Sequence, residues 1–76
     1  MLKYKFDVIE ELKKAGYPVQ KIQKDKLLSS SACTSLKKGD PVAMRSINAV
    51  CCMLRCQPGD LLEWVPTDDE KILYFK

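Results

Sequence analysis

The chain has 76 residues, of which 46% are hydrophobic and 30% charged, with a formal net charge of +3 and no histidine. A chain of that length builds one small core, so a single domain over 1–76 is expected, with no room for a cofactor domain beside a substrate domain. Without histidine the commonest general base, the commonest zinc ligand and every Ser-His or Cys-His pair are missing, which argues against a conventional hydrolase; no enzyme, cofactor or metal site is expected.

Met1 to Lys5 alternates apolar and polar residues and predicts a short strand at about 1–5. A first helix is predicted from about Phe6 to Ala15. Val8, Ile9 and Leu12 share one face, acids come early and lysines late, and Gly16 stops it. Pro18 suits the first position of a second helix, about Pro18 to Lys26, with Val19 and Ile22 inward and Lys21, Lys24 and Lys26 outward. The serines at 29–31 offer an N-cap to a third helix, from Ser29 or Ser30 to Lys37 or Lys38. Ala32, Cys33 and Leu36 form its inward stripe, and Gly39 ends it. Asp40-Pro41 is a turn. A fourth helix is predicted from about Ala43 to Arg55, with Met44, Ile47, Val50, Cys51 and Leu54 on one broad apolar face. After a break at Gln57 to Asp60, Leu61 to Val65 reads as a short helix, with Trp64 closing the bottom of the core. Ile72 to Phe75 is aromatic and β-prone, so a last strand is predicted at about 71–75. Its expected partner is the first strand, within the chain or across a homodimer held by Tyr4, Tyr74 and Phe75.

Charge is uneven along the chain. Lys13 to Arg45 holds eight basic residues against two acids, whereas Gln57 to Glu70 holds five acids and no base. The basic middle predicts a face for a polyanion. No apolar run approaches the ~20 residues of a membrane span, and no apolar stretch of a secretory signal follows Met1. The expected location is therefore cytoplasmic, with no membrane partner. The cysteines at 33, 51, 52 and 56 read as reduced, buried thiols. Neighbours on a helix point about 100° apart, which does not converge on a metal.

The second and third helices are the functional constellation. Two short helices joined by a tight turn, the second opening on small hydroxyls and closing on two lysines, have helix-turn-helix geometry over about 18–38. In that motif the second helix enters the major groove, where small side chains near its N-terminus clear the bases. At this point Ile22 to Gly39 resembles the motif of the lambda-repressor/Cro-like (Xre-type) regulators. Ile22 falls on the family's core leucine, Leu28-Ser29 on the start of its recognition helix, Cys33 and Leu36 on its two buried aliphatic positions, and Gly39 on the closing glycine. Met44 to Leu54 matches the fourth helix, and Cys56-Gln-Pro-Gly-Asp-Leu-Leu-Glu-Trp-Val-Pro66 is similar to the ending of a small-protein subgroup. Pro18 and Val19 stand where the family has Ser or Thr then Gln, and Leu27 stands at the family's turn glycine.

The resemblance implies an all-α, small five-helix lambda-repressor-like bundle with short terminal β-strands. It implies a transcription regulator, bacterial or from a phage, that binds double-stranded DNA. Ser30, Ser31 and Ser35 would face bases, Thr34 would lie near the backbone, and Ser29 would cap. Lys37, Lys38, Gln20, Lys21 and Lys24 would meet phosphates. Serine pairs with several bases, so modest specificity is expected. The alternative is a protein-interaction module on the same fold that has lost its DNA contacts. A thiol or metal sensor is a third, weaker reading.

Overall fold

The computed structural model describes residues 1–75. Its elements are β1 (Leu2–Tyr4), α1 (Val8–Lys14), α2 (Val19–Lys24), α3 (Ser30–Lys38), α4 (Met44–Leu54), α5 (Pro58–Leu61), β2 (Leu62–Trp64) and α6 (Asp68–Tyr74). Each boundary has a local cause. Asp7 caps α1 by accepting from the amide of Glu10, and Gly16 follows at a φ of 95°. Thr67 and Glu70 form a reciprocal capping box at the start of α6.

The core is built mainly by the first four helices. Val8 and Leu12 of α1, Ile22 of α2, Leu28 of the turn, Ala32, Cys33 and Leu36 of α3, Val50 of α4 and Leu61 of α5 form one buried cluster. α1 packs on both α3 and α4. Each fully buried aliphatic side chain contributes about 1.5–3 kcal/mol. These contacts fix how α3 is presented: its small buried residues lie against α1, and the opposite side is left outside. A second tie holds the far end of α3, where the Tyr4 hydroxyl donates to the Asp40 carbonyl at 2.7 Å. Burial, then the charge of Asp40, pushes that phenol above its ordinary pKa.

Several sequence expectations need correction. The described residues hold six helices, not five. Leu61 to Val65 is not a helix: α5 ends at Leu61, because Leu62 turns to extended backbone (φ −121°, ψ 148°) and the next residues pair with β1. The ladder is antiparallel, with Leu2 opposite Trp64, Lys3 opposite Glu63 and Tyr4 opposite Leu62. The terminal strand expected at 71–75 is α6. Its capping box, three acids in the first turn and Lys71 in the last outweigh the β preference of its aromatics. Tyr4 is half-buried over the core and is not a free dimer contact.

Smaller corrections concern single side chains. Met44 is 88% exposed, since it opens α4 beyond the edge of the core, and Ser46 is buried instead. Trp64 does not close the core. It is 56% exposed and tilts against Phe75 with ring centroids 6.2 Å apart. All four cysteines are free thiols, but only Cys33 is buried, and Cys52 is exposed. Among the described residues no group of three or more His, Cys, Asp or Glu is placed to hold a metal. No described helix is long and apolar enough to cross a membrane.

Candidate nucleic-acid interface

The turn between α2 and α3 sets the site. α2 starts one residue after Pro18, which sits at its N-cap, and ends at Lys24 rather than Lys26. Lys26 then takes the left-handed conformation at φ 56°, and the amide of Leu27 reaches back to the carbonyl of Ile22 at 2.9 Å. The left-handed residue is therefore Lys26 and not Leu27, the position of the family's glycine. Leu28, next in line, is buried in the core and anchors the start of α3.

α3 begins as its serines predict. Ser29 has extended backbone, and its hydroxyl accepts from the amide of Ala32 at 3.1 Å. The Ser29 and Ser31 hydroxyls lie 3.3 Å apart. Thr34 donates back to the Ser30 carbonyl at 3.0 Å. At 100° per residue, Ser30, Ser31, Thr34, Ser35 and Lys38 share the arc opposite Ala32, Cys33 and Leu36. Ser30, Ser31, Thr34, Lys37 and Lys38 are exposed, and Ser35 is half-buried. Gly39 closes the helix at φ 81°, and the amide of Asp40 reaches the Ser35 carbonyl at 2.8 Å. That closure needs the left-handed backbone that glycine adopts freely. Burial pushes the Cys33 thiol above its ordinary pKa, so it behaves as a small apolar core group.

The α2 residues Gln20, Lys21 and Lys24 are exposed. Lys21 carries its ammonium 5.3 Å from the centre of the Tyr17 ring, a cation–π contact that holds the stem in place. All ten residues singled out in the sequence therefore lie at the surface of α2, α3 and its cap. Three of them, Ser29, Ser31 and Ser35, line a cleft of about 200 Å³ together with Pro41 to Ala43, Arg45 and Ser46. Arg45 is the residue that sequence reasoning counted only as charge. Its nearness to α3 follows from the turn at Asp40 to Ala43, a tertiary feature with no local sequence signal. Beside it α4 begins at Met44, and its N-cap Ala43 provides no side-chain cap for the first amides.

With this geometry, a family model described as the Cro/C1-type HTH DNA-binding domain matches residues 8–67. The chain belongs to the Cro/C1-type helix-turn-helix DNA-binding family. Domains of this family bind DNA in transcription regulators, and the family is not an enzymatic one. No curated protein and no solved structure matches the chain. The matched span of this Cro/C1-type chain opens on the first residue of α1 and closes on the N-cap of α6. β1 and the body of α6 thus lie outside it.

Proposed function

We propose that the chain regulates transcription by binding double-stranded DNA with α3 in the major groove. One observation supports this reading: α3 buries Ala32, Cys33 and Leu36 on one side and carries Ser30, Ser31, Thr34 and Lys38, all exposed, with the half-buried Ser35 on the other. Ser30, Ser31 and Ser35 face base edges, and Thr34 lies near the DNA backbone. Ser29 caps α3, and its hydroxyl donates to a phosphate at the start of the helix. Lys37 and Lys38 at the end of α3, and Gln20, Lys21 and Lys24 of α2, meet phosphates on either side. Arg45 joins them with the uncapped amides of α4, since cation and helix N-terminus act together on a phosphate. Such a regulator works in the cytoplasm, on DNA, and needs no cofactor.

The test is salt-dependent retention on duplex DNA, followed by selection of binding sites from random duplexes. Replacing Lys37 and Lys38 by glutamate should weaken retention at least tenfold. Retention unchanged by that double substitution, or absent in the parent protein, would favour the interaction module on the same fold.

A further inference from the structure

At the end of α4 the chain turns a sharp corner towards α5, and three of the four thiols lie there. Cys51 and Cys52 belong to the last turns of α4, and Cys56 follows the helix. Arg55, just before Cys56, takes left-handed backbone (φ 54°, ψ 49°). That reversal takes Cys56 off the helical path, where it would have stood one turn beyond Cys52. Its amide instead donates back to the Cys51 carbonyl at 3.1 Å. This is the outer bond of a Schellman closure, and the residues at its two ends commonly bring their side chains into contact.

Covalent geometry turns that hydrogen bond into a limit. With ordinary bond lengths on either side of it, the two Cα atoms stand at most about 6.7 Å apart. A disulfide spans Cα separations of about 4.4–6.8 Å. Cys51 and Cys56 are both free and half-buried. Burial first, then the Cys51 thiol and the Asp60 carboxylate, hold the Cys56 thiol above its ordinary pKa. The remaining thiols are set apart. Cys33 is buried in the core cluster on α3, and Cys52, about 100° around α4 from Cys51, is exposed.

We infer that Cys51 and Cys56 form a redox pair, which hydrogen peroxide converts to a disulfide across the α4–α5 corner. The Cys51 sulfur, as thiolate, attacks one peroxide oxygen. The O–O bond breaks, Cys51 becomes a sulfenic acid, and the departing hydroxide takes up the proton that the thiol lost and leaves as water. The Cys56 sulfur then attacks the sulfenic sulfur. The S–O bond breaks, and the hydroxyl leaves with the Cys56 proton as a second water. Two electrons pass from the sulfurs to the peroxide, and a dithiol reductant restores them. Cys56 is the later of the two because the first attack needs a thiolate, which its raised pKa disfavours. The bond secures a corner that has no glycine, since a side chain at left-handed backbone is strained and Arg55 carries one. Leu61, at the end of α5, is wholly buried, and β2 follows it directly. Oxidation therefore fastens α4 to α5 and stabilises the fold, at the end of α4 remote from Arg45. No DNA contact enters, so this pair stands or falls apart from the DNA reading.

Oxidation of the reduced full chain by a small excess of hydrogen peroxide tests it. Trypsin cuts after Arg55, so the expected bond leaves peptides 46–55 and 56–71 joined until dithiothreitol is added. Alkylation of the oxidised chain after unfolding should tag Cys33 and Cys52 and miss Cys51 and Cys56. The midpoint of urea unfolding should rise on oxidation and return on reduction. Cys51→Ser should slow formation of an intramolecular disulfide at least tenfold, and Cys52→Ser should leave it unchanged. If Cys51→Ser loses its fold, the alkylation pattern of the parent chain decides alone. A bond between Cys52 and Cys56, a covalent dimer through Cys52, thiols oxidised without any disulfide, or an oxidised chain no more stable than the reduced one overturns the inference.

Discussion

At Lys26 and Leu27 a single residue of offset decides the shape of the helix-turn-helix. The left-handed backbone falls on Lys26, and a side chain there costs roughly 1–2 kcal/mol that glycine avoids. Lys26→Gly should therefore hold or raise stability by up to about 1 kcal/mol in urea unfolding, once the greater chain entropy of glycine is subtracted. Leu27→Gly should only lose, because Leu27 sits in ordinary backbone. Gly39 is the converse case. Its φ of 81° closes α3, so Gly39→Ala should cost roughly 1–2 kcal/mol although open space surrounds it. The inward stripe of α3 was legible residue by residue, because Ala32, Cys33 and Leu36 follow the helical period between a serine cap and a glycine stop. The place of Lys26 was not, since a lysine carries no signal for a positive φ. Arg45 escaped for a related reason: what puts it beside α3 is a turn, not a spacing.

At the scale of elements, the helices of the core were readable and the two ends of the chain were not. α1, α3 and α4 each bury a stripe, and period and caps agree with it. β2 and α6 have no such stripe. Leu62 to Trp64 is a strand only because Leu2 to Tyr4 lies beside it, which is information from sixty residues away. α6 forms where the aromatic content of Ile72 to Phe75 favours a strand, because the Thr67–Glu70 box and the acidic first turn start a helix upstream. Glu70 is also the tie between the ends. The terminal ammonium of Met1 donates to its carboxylate and to the Val65 carbonyl. That ammonium first, then the amide of Thr67, holds the Glu70 carboxyl below its usual range near 4.5. A carboxylate with a lowered folded pKa stabilises above its unfolded value and loses that effect as pH falls through the folded one. Helical signal from α6 should therefore fade as pH drops below about 4.5, ahead of the core. Glu70→Gln should show the weakened α6 already at neutral pH. Hydrogen exchange of the α6 amides reads both. Protection at pH 3 equal to that at pH 7 would contradict the tie.

For the whole molecule, the basic middle and acidic tail of the sequence become separate regions of the surface. The lysines of α2 and α3 flank the recognition arc, while the acids lie on α5, β2 and the first turn of α6. The core that holds this arrangement is small. Ile22 and Leu12 are wholly buried, so Ile22→Ala or Leu12→Ala should each cost about 2–5 kcal/mol. That is a large share of the ~5–15 kcal/mol expected of a domain. Either variant should lose DNA retention together with its fold, whereas the Lys37 and Lys38 variants should lose retention and keep it. The central claim is that α3 lies in a duplex groove with lysines on the phosphates. Its most direct test is the affinity for duplex DNA measured against salt concentration. The five cations placed on phosphates (Lys21, Lys24, Lys37, Lys38 and Arg45), at ~0.9 each, predict a log–log slope of about −4.5, which flattens by about 2 when Lys37 and Lys38 become glutamine. A slope near zero, or one that those two substitutions leave unchanged, would contradict it.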